Sequence, residues 1–466
     1  MDKVFPDQAA AWCQGQWYPH VPPAPIRQVC VDSRAVQPGS LFVALKGERV
    51  DGHDFLPAVA AAQAYALVRE DIPTDHLPIH GFFLRVADPL AALGRLAAGY
   101  RQQMPARMVG ITGSVGKTTT KELAADMLAT IGKTTRTAGN FNNEIGLPLS
   151  LLTVEQDSLF GVIEAGISHP GEMALLRDIL MPDLAVMTGL AEVHIEFFES
   201  LEAIAAEKAT LLEKLPADGA AILDRDDRFF PLLREHCSAP VVTCSLKRRE
   251  ADYAGDALGA GQLWVCERAT GETVELVLPP PGGFMAENVL RAVAVARTCG
   301  ASWEGIAAAL EQFRPVGMRW AVETVQGWRI VNDAYNANPR SMRASLTAFA
   351  DWPVSGRKFL VLGPMLELGR HLREEHEALG RFVAAGKWAG VAIVPQPGGL
   401  PDGAAQGIWD GLHEAGWPAD RVVMAAGSEE AAAWLRLRLQ SNDALLLKAS
   451  RGIQLEKVVT ELKKEI

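Results

Sequence analysis

The stretch Gly110-Ile111-Thr112-Gly113-Ser114-Val115-Gly116-Lys117-Thr118-Thr119-Thr120 constrains this chain more than any other. The apolar pair Met108-Val109 ahead of it reads as the end of a buried strand. Lys121 to Leu128 behind it spaces its apolar residues as a helix does. Strand, glycine loop and helix N-terminus together form a phosphate-binding arrangement. The glycines let backbone N–H groups approach phosphate oxygens, and the helix end adds partial positive charge. Lys117 neutralises, and the Thr118 hydroxyl is suited to Mg²⁺. Gly113, Ser114, Val115, Gly116, Lys117, Thr118 and Thr119 are therefore the candidate nucleotide contacts. The common form of this loop has a glycine where the chain has Ile111; here the glycines fall three apart, at 110, 113 and 116. The chain reads as one that binds a nucleoside triphosphate.

A length of 466 residues leaves room for several buried cores. The net charge of −11 argues against a nucleic-acid surface, which needs clustered Lys and Arg. Anionic small substrates stay open, because local cations can meet them. Six cysteines are scattered with no Cys-x-x-Cys, which favours buried thiols in a reducing compartment. Met1 to Asp7 has no basic region leading into an apolar core, and no apolar run reaches membrane-spanning length. The expectation is a cytoplasmic protein with no integral membrane segment.

The strand and helix pattern predicts an α/β chain of three domains. Residues 1–86 read as a small mixed α/β domain, with short strands near Val29 to Val31, Leu41 to Leu45, Ala66 to Val68 and Phe82 to Val86. Residues 87–314 alternate strand and helix as a parallel sheet covered on both faces does. Residues 252–278 interrupt that alternation with β-type runs. Residues 315–466 read as a Rossmann-like, doubly wound domain, with strands at Trp328 to Val331, Lys358 to Leu362, Val391 to Val394, Arg421 to Met424 and Ala444 to Lys448.

Ligands of open parallel sheets bind beyond the carboxyl ends of the strands. Glu164 ends one strand, and His194 lies six residues past Thr188, so both fall on the rim carrying the phosphate loop. A carboxylate there suits Mg²⁺, a hard cation that takes oxygen ligands. Lys208 follows His194 by fourteen residues on the helical stretch Leu201 to Leu215; by position alone it reads as part of a solvated face. Asp32-Ser33-Arg34 and Lys46-Gly47, taken alone, read as surface turns. The run Asp333-Ala334-Tyr335-Asn336-Ala337-Asn338-Pro339, with Ser341 at a helix start, is too rich in side-chain donors for a plain connection and reads as a ligand loop. Lys448-Ala449-Ser450-Arg451 offers two cations and a hydroxyl at a later strand end. Arg319 could reach back to nucleotide phosphate. Polar loops from three domains around one phosphate site predict a cleft that closes over its substrates.

Along nearly its whole length the chain resembles the Mur ligase family of peptidoglycan synthesis. Gly110-x-x-Gly113-x-x-Gly116-Lys117-Thr118-Thr119 is similar to that family's phosphate loop. Asp32-Ser33-Arg34, Pro38-Gly39-x-Leu41-Phe42-Val43-Ala44-Leu45 and Asp51-Gly52-His53 resemble its UDP-sugar-binding domain. The resemblance is narrowed by Thr137-x-Gly139-Asn140-x-Asn142-Asn143-x-Ile145-Gly146 and by Asp333-Ala334-Tyr335-Asn336-Ala337-Asn338-Pro339-x-Ser341-Met342. It implies an ATP-dependent ligase that makes an amide through an acyl phosphate, with UDP-N-acetylmuramoyl-tripeptide and D-alanyl-D-alanine as substrates. It further implies a monomer, one Mg²⁺ at Thr118 and Glu164, and a second at His194, assisted by a carbamylated Lys208. Lys117, Glu164, His194 and Lys208 are then the catalytic set. Asn288, Arg319 and Asp333 match nucleotide contacts, and Ser33, Arg34 and Lys46 lie on the uridine side. Asn140, Asn142 and Asn143 match the muramoyl-peptide side. Tyr335, Asn336, Asn338, Ser341, Lys448, Ser450 and Arg451 match substrate-facing positions of the third domain. The chain departs from the family at Glu287 (usually His), Pro364 (usually Asp), Ala449 (usually Gly) and Ala209-Thr210 (usually Gly-Glu). A related ligase with another acceptor, or an inactive nucleotide-binding partner protein, stays open at this point.

Overall fold

The structure, a computed structural model, describes residues 4–193, 195–258, 261–396 and 403–464. Among these, runs of apolar, β-branched and aromatic residues form three sheets that follow one another along the chain. The first sheet has the spatial order Gln16–Tyr18, Phe82–Val86, Tyr65–Arg69, Ser40–Val43, Gln28–Cys30. Gln16–Tyr18 is antiparallel to its neighbour and the rest are parallel. That edge strand is invisible to periodicity, because only Trp17 of its three residues turns inward.

The central sheet has nine strands, and its order differs from a purely parallel one. Thr134–Arg136, Phe160–Glu164, Arg107–Thr112, Leu184–Met187, Ala220–Asp224, Val241–Ser245 and Tyr253–Leu258 pair in parallel. Gln262–Glu267 and Thr273–Val277 then extend the same sheet as antiparallel strands. The β-type runs of 252–278 are thus a continuation of the sheet. A parallel neighbour needs a crossover, whereas these two need only the turn at Thr270-Gly271, with Gly271 at φ +72°. The third sheet runs Ala321–Val325, Trp328–Asn332, Ala444–Lys448, Lys358–Leu362, Gly390–Ile393, Val422–Met424. Its first strand, not expected from sequence, is antiparallel through a two-residue turn in which Gln326 and Gly327 both have positive φ.

Both faces of the central and third sheets are covered. The helices Lys117–Leu128, Ala286–Thr298 and Trp303–Gln312 pack one face of the central sheet through Leu123, Met127, Val289, Val293 and Ile306. On the other face the helix Pro89–Arg101 buries Leu93, Leu96 and Tyr100 in a core that runs on without a break into Leu41, Leu67 and Leu84 of the first sheet. Asp88 caps that helix by accepting from Leu90 and Ala91, and Pro89 sits where its missing N–H is no loss. Among the described residues no helix is long and apolar enough to cross a membrane.

The strands Leu184–Met187, Arg107–Thr112 and Phe160–Glu164 are neighbours, as are Trp328–Asn332 and Ala444–Lys448. Residues at the carboxyl ends of both groups line one cleft of about 390 Å³.

Candidate active site

The phosphate loop leaves Arg107–Thr112 and enters the helix Lys117–Leu128 through two glycines that no other residue could replace easily. Gly113 has φ +141°, and a Cβ there would lie 2.0 Å from the Thr188 hydroxyl; Gly116 has φ +89°, and a Cβ would lie 2.3 Å from Asn288 Oδ1. Lys117 folds back over the loop and donates to Gly113 O at 2.8 Å. Burial lowers its pKa; Glu164 opposes that shift and the Arg319 charge adds to it. The hydroxyl of Thr118 donates to Glu164 Oε2 at 2.8 Å, and the Asn142 amide donates to Oε1 at 2.7 Å. Glu164 is buried, and among the described residues no cation lies within ion-pair distance of it. A buried carboxylate beside a hydroxyl, both at the edge of a phosphate loop, is a donor set of hard oxygens that fits Mg²⁺.

Ser114 to Thr119, Asn140, Asn142, Asn143, Glu164 and Asn288 line the cleft from the central sheet. Asn288 accepts from the Thr120 hydroxyl at 3.2 Å, which ties the helix Ala286–Thr298 to the loop helix. Arg319, Asp333, Tyr335, Asn336, Asn338, Ser341 and Lys448 line it from the third sheet. Arg319 stacks over the Tyr335 ring at 3.6 Å from its centroid. Asn338 and Ser341 form a reciprocal cap on the helix Pro339–Asp351, which fixes the loop's exit. Lys448 Nζ lies 2.7 Å from Asp333 Oδ2, and Asp333 also accepts from the Trp320 backbone N–H and the Ser345 hydroxyl.

Other expected residues stand elsewhere. Lys208 is not on a solvated face: it is buried, 3% exposed, and does not line the cleft. Burial, and then the like charge of Lys117, hold its pKa well below the lysine range, against the pull of Glu207, Glu172 and Glu164. Among the described residues its Nζ makes no ion pair. His194 lies outside the described residues. Ser450 and Arg451 are not brought to the cleft lining. Ser450 Oγ accepts from the Leu366 N–H and donates to Ala337 O, while Arg451 turns outward to Glu456 at 2.6 Å. Ser33, Arg34 and Lys46 sit past the carboxyl ends of the first sheet, away from this cleft, with Arg34 paired to Asp32 at 2.7 Å.

Among the lining residues that escape sequence reasoning, Arg340 and Trp320 stand out. Arg340 donates to Leu190 O at 3.1 Å and lies 3.5 Å from Glu287. Its one signal is a lone cation in the first turn of the helix that ends the ligand loop. Trp320 is buried with no hydrogen-bond partner for its indole nitrogen among the described residues, and nothing in the local sequence marks it.

Comparison with known families agrees with this geometry. Residues 25–101 match the Mur ligase family catalytic domain, 111–296 the Mur ligase middle domain, and 318–451 the Mur ligase glutamate ligase domain. The chain is 34% identical to the UDP-N-acetylmuramoyl-tripeptide–D-alanyl-D-alanine ligase of Escherichia coli strain K12, over 93% of each chain. The chain belongs to the Mur ligase family. The Bacillus subtilis strain 168 enzyme of the same name is 33% identical over 94% of this Mur ligase and 93% of the relative. A crystal structure of MurF from Acinetobacter baumannii superposes with a TM-score of 0.87 over 100% of both chains at 27% identity. MurF ligase from Thermotoga maritima, in complex with ADP, does so at 0.79 and 28% identity over 94% of this chain and 97% of that one. The three-sheet architecture is therefore that of the family's MurF structures.

Proposed function

We propose that this Mur ligase joins D-alanyl-D-alanine to UDP-N-acetylmuramoyl-tripeptide, forming ADP and phosphate, in peptidoglycan precursor synthesis. The observation that carries this reading is the convergence of three loops on one cleft: the phosphate loop, the Asn140 to Asn143 loop and the Asp333 to Ser341 loop. A carboxylate is a poor electrophile. Transfer of the ATP γ-phosphoryl group to the tripeptide's terminal carboxylate makes an acyl phosphate, whose phosphate can leave when the dipeptide amine attacks. Two anions must meet in the first step, so charge compensation is the main demand on the protein.

Lys117 would support the phosphoryl group from the loop, together with the N–H groups at the head of Lys117–Leu128. Thr118 and Glu164 would hold Mg²⁺, which supplies Lewis-acid neutralisation of phosphate charge when bound. Asn142 keeps the Glu164 carboxylate oriented. Lys208, held short of its usual basicity, is suited to add CO₂, its nitrogen forming the new bond and releasing a proton; with His194 the resulting carbamate would serve a second Mg²⁺. Asn288, Arg319 and Asp333 are assigned to the nucleotide, with Ser33, Arg34 and Lys46 on the uridine side. Asn140 and Asn143 are assigned to the muramoyl-peptide, and Tyr335, Asn336, Asn338 and Ser341 to the acceptor side. A monomer is the proposed state, and ATP as co-substrate fits a cytoplasmic location.

The test is phosphate release from ATP with UDP-muramoyl-tripeptide, with and without D-alanyl-D-alanine. Release that needs both, with a product heavier by the dipeptide, is expected. Release with a different acceptor only would overturn the acceptor assignment, and no release with any pairing would overturn the ligase reading.

A further inference from the structure

Arg340 is the second residue of the helix Pro339–Asp351, in the third sheet's unit, yet its guanidinium rests on the central one. Its hydrogen bond to Leu190 O and its ion pair with Glu287 both cross between these two units. The position of its acceptor is informative. Leu190 O is the middle of three successive carbonyls in the segment 189–191. On one side, Gly189 O accepts the backbone N–H groups of Ser114 and Val115, at 2.9 and 3.0 Å. On the other, Ala191 O accepts the Ser114 hydroxyl at 2.9 Å. The segment is thus a strap stitched to the phosphate loop by its first and last carbonyls, with Arg340 holding the one between. A Cβ on Gly189 would lie 3.1 Å from Arg340 Nη1, so the guanidinium lies against the strap itself.

The second arm of Arg340 reaches Glu287, which also lies 3.3 Å from Arg291; Arg291 in turn pairs with Asp224 at 2.6 Å. Glu287 precedes Asn288, the residue that accepts from Thr120 and closes off space beside Gly116. Both arms therefore end on groups one step removed from the phosphate loop. They are unequal. The Arg340–Glu287 pair spans 3.5 Å between side chains 47% and 45% exposed, and exposed pairs of that kind contribute little. The charge-assisted bond to a backbone carbonyl has fixed geometry and is the stronger contact.

We propose that Arg340 is a positioning residue that couples seating of the third unit over the cleft to the conformation of the phosphate loop, through the strap 189–191. Coupling of this kind is reciprocal: a nucleotide that fixes the loop favours the seated third unit, and a ligand held by the third unit raises nucleotide affinity. The inference rests on the proposed ligase reading for its kinetic test, but its structural test does not.

The experiment compares wild type with Arg340→Ala, Arg340→Lys and Glu287→Gln in acceptor-dependent phosphate release. Small-angle scattering with Mg·ADP is the second readout. Arg340→Ala is expected to lower kcat/KM for ATP and for D-alanyl-D-alanine by about ten- to a hundredfold, the range set by loss of a charged hydrogen bond. KM for UDP-muramoyl-tripeptide, assigned to the other side of the cleft, should stay within about twofold, a split that general damage to the fold would not produce. Arg340→Lys keeps the charge but not the fork and should recover part of the loss. Glu287→Gln should cost at most about threefold. With Mg·ADP, Arg340→Ala should have a larger radius of gyration than wild type. Wild-type kinetics in Arg340→Ala, or an equal rise in all three KM values, would overturn the proposal. If wild type shows no acceptor-dependent release, the ligase reading fails, and the scattering comparison alone decides: a larger radius in the variant sustains the coupling, and equal radii overturn it.

Discussion

Replacing Gly116 by alanine should weaken nucleotide binding by an amount that can be worked out from its surroundings. Gly116 has φ +89° and ψ −8°, and alanine held in the left-handed region costs about 1–2 kcal/mol. The added Cβ would lie 2.3 Å from Asn288 Oδ1, too close to remain, so Asn288 must swing away and release the Thr120 hydroxyl. That loss adds about 1 kcal/mol. A loop relaxed into another conformation must regain the binding one, and 2–3 kcal/mol then reads as about a 30- to 150-fold weaker dissociation constant for Mg·ADP by calorimetry. The clash and the strain separate in a double-mutant cycle. In an Asn288→Ala background the clash is gone, and Gly116→Ala should cost only its backbone strain, about tenfold. Equal penalties in both backgrounds would refute the reasoning, as would binding within twofold of wild type by the single variant.

Three other perturbations test other parts of the site. Lys208→Ala should slow turnover by about 100-fold or more if a carbamate stands there, with partial recovery in formate or acetate; near-normal activity would sink that assignment. Lys448→Met leaves Asp333 with its neutral donors but no cation, which should cost about 3 kcal/mol, the low end for a broken buried pair. Calorimetry should show the loss, and adding Asp333→Asn should restore part of it; an unchanged melting temperature in the single variant would contradict the pairing. His376 is buried and neutral, donating from Nδ1 to Leu372 O and accepting the Met365 N–H at Nε2, and burial pushes its pKa down. The unfolded chain then binds the extra proton first. Stability should be level above about pH 6.5 and fall below it by up to about 1.4 kcal/mol per pH unit. His376→Gln should flatten that slope, and melting curves between pH 7.5 and 5.5 that are parallel for both proteins would exclude it.

What was legible in the chain follows from how local each feature is. The phosphate loop is written in seven consecutive residues, because its geometry depends on glycine positions and a helix start. The loop Asp333 to Ser341 is legible for the same reason, its cap being two residues three apart. Lys208 misleads by position, since lysine on a helix is ordinarily solvated, yet the signal was present. Lys208 lies one turn beyond Ile204, on the buried side of Leu201–Ala209, so it falls in the apolar stripe. Ser450 and Arg451 mislead in the opposite direction. They follow a strand carboxyl end as the site residues do, but the short turn after Lys448 aims one side chain into backbone contacts and the other outward. The strap 189–191 acts through carbonyls alone, and no side chain announces it.

The departures in the third sheet's motifs, unexplained by sequence, meet at one place. Gly363 and Pro364 follow the strand Lys358–Leu362, and Ala449 and Ser450 follow its neighbour Ala444–Lys448. Gly363 N–H donates to Lys448 O and Ser450 N–H donates to Pro364 O, both at 3.0 Å. Proline keeps the carbonyl that this cross-link uses and lacks only an N–H. The Ala449 methyl is fully buried, and it lies 2.8 Å from where a Gly363 side chain would begin. Alanine at 449 is therefore accommodated by glycine at 363. Neither Pro364 nor Ala449 lines the cleft. The cross-link uses backbone groups alone, so it joins the two strand ends with proline at 364 and alanine at 449 in place. Under the proposed function, acceptor choice then depends on the acceptor-side residues that do reach the cleft from this unit, Tyr335, Asn336, Asn338 and Ser341. Substituting Pro364 should leave it unchanged.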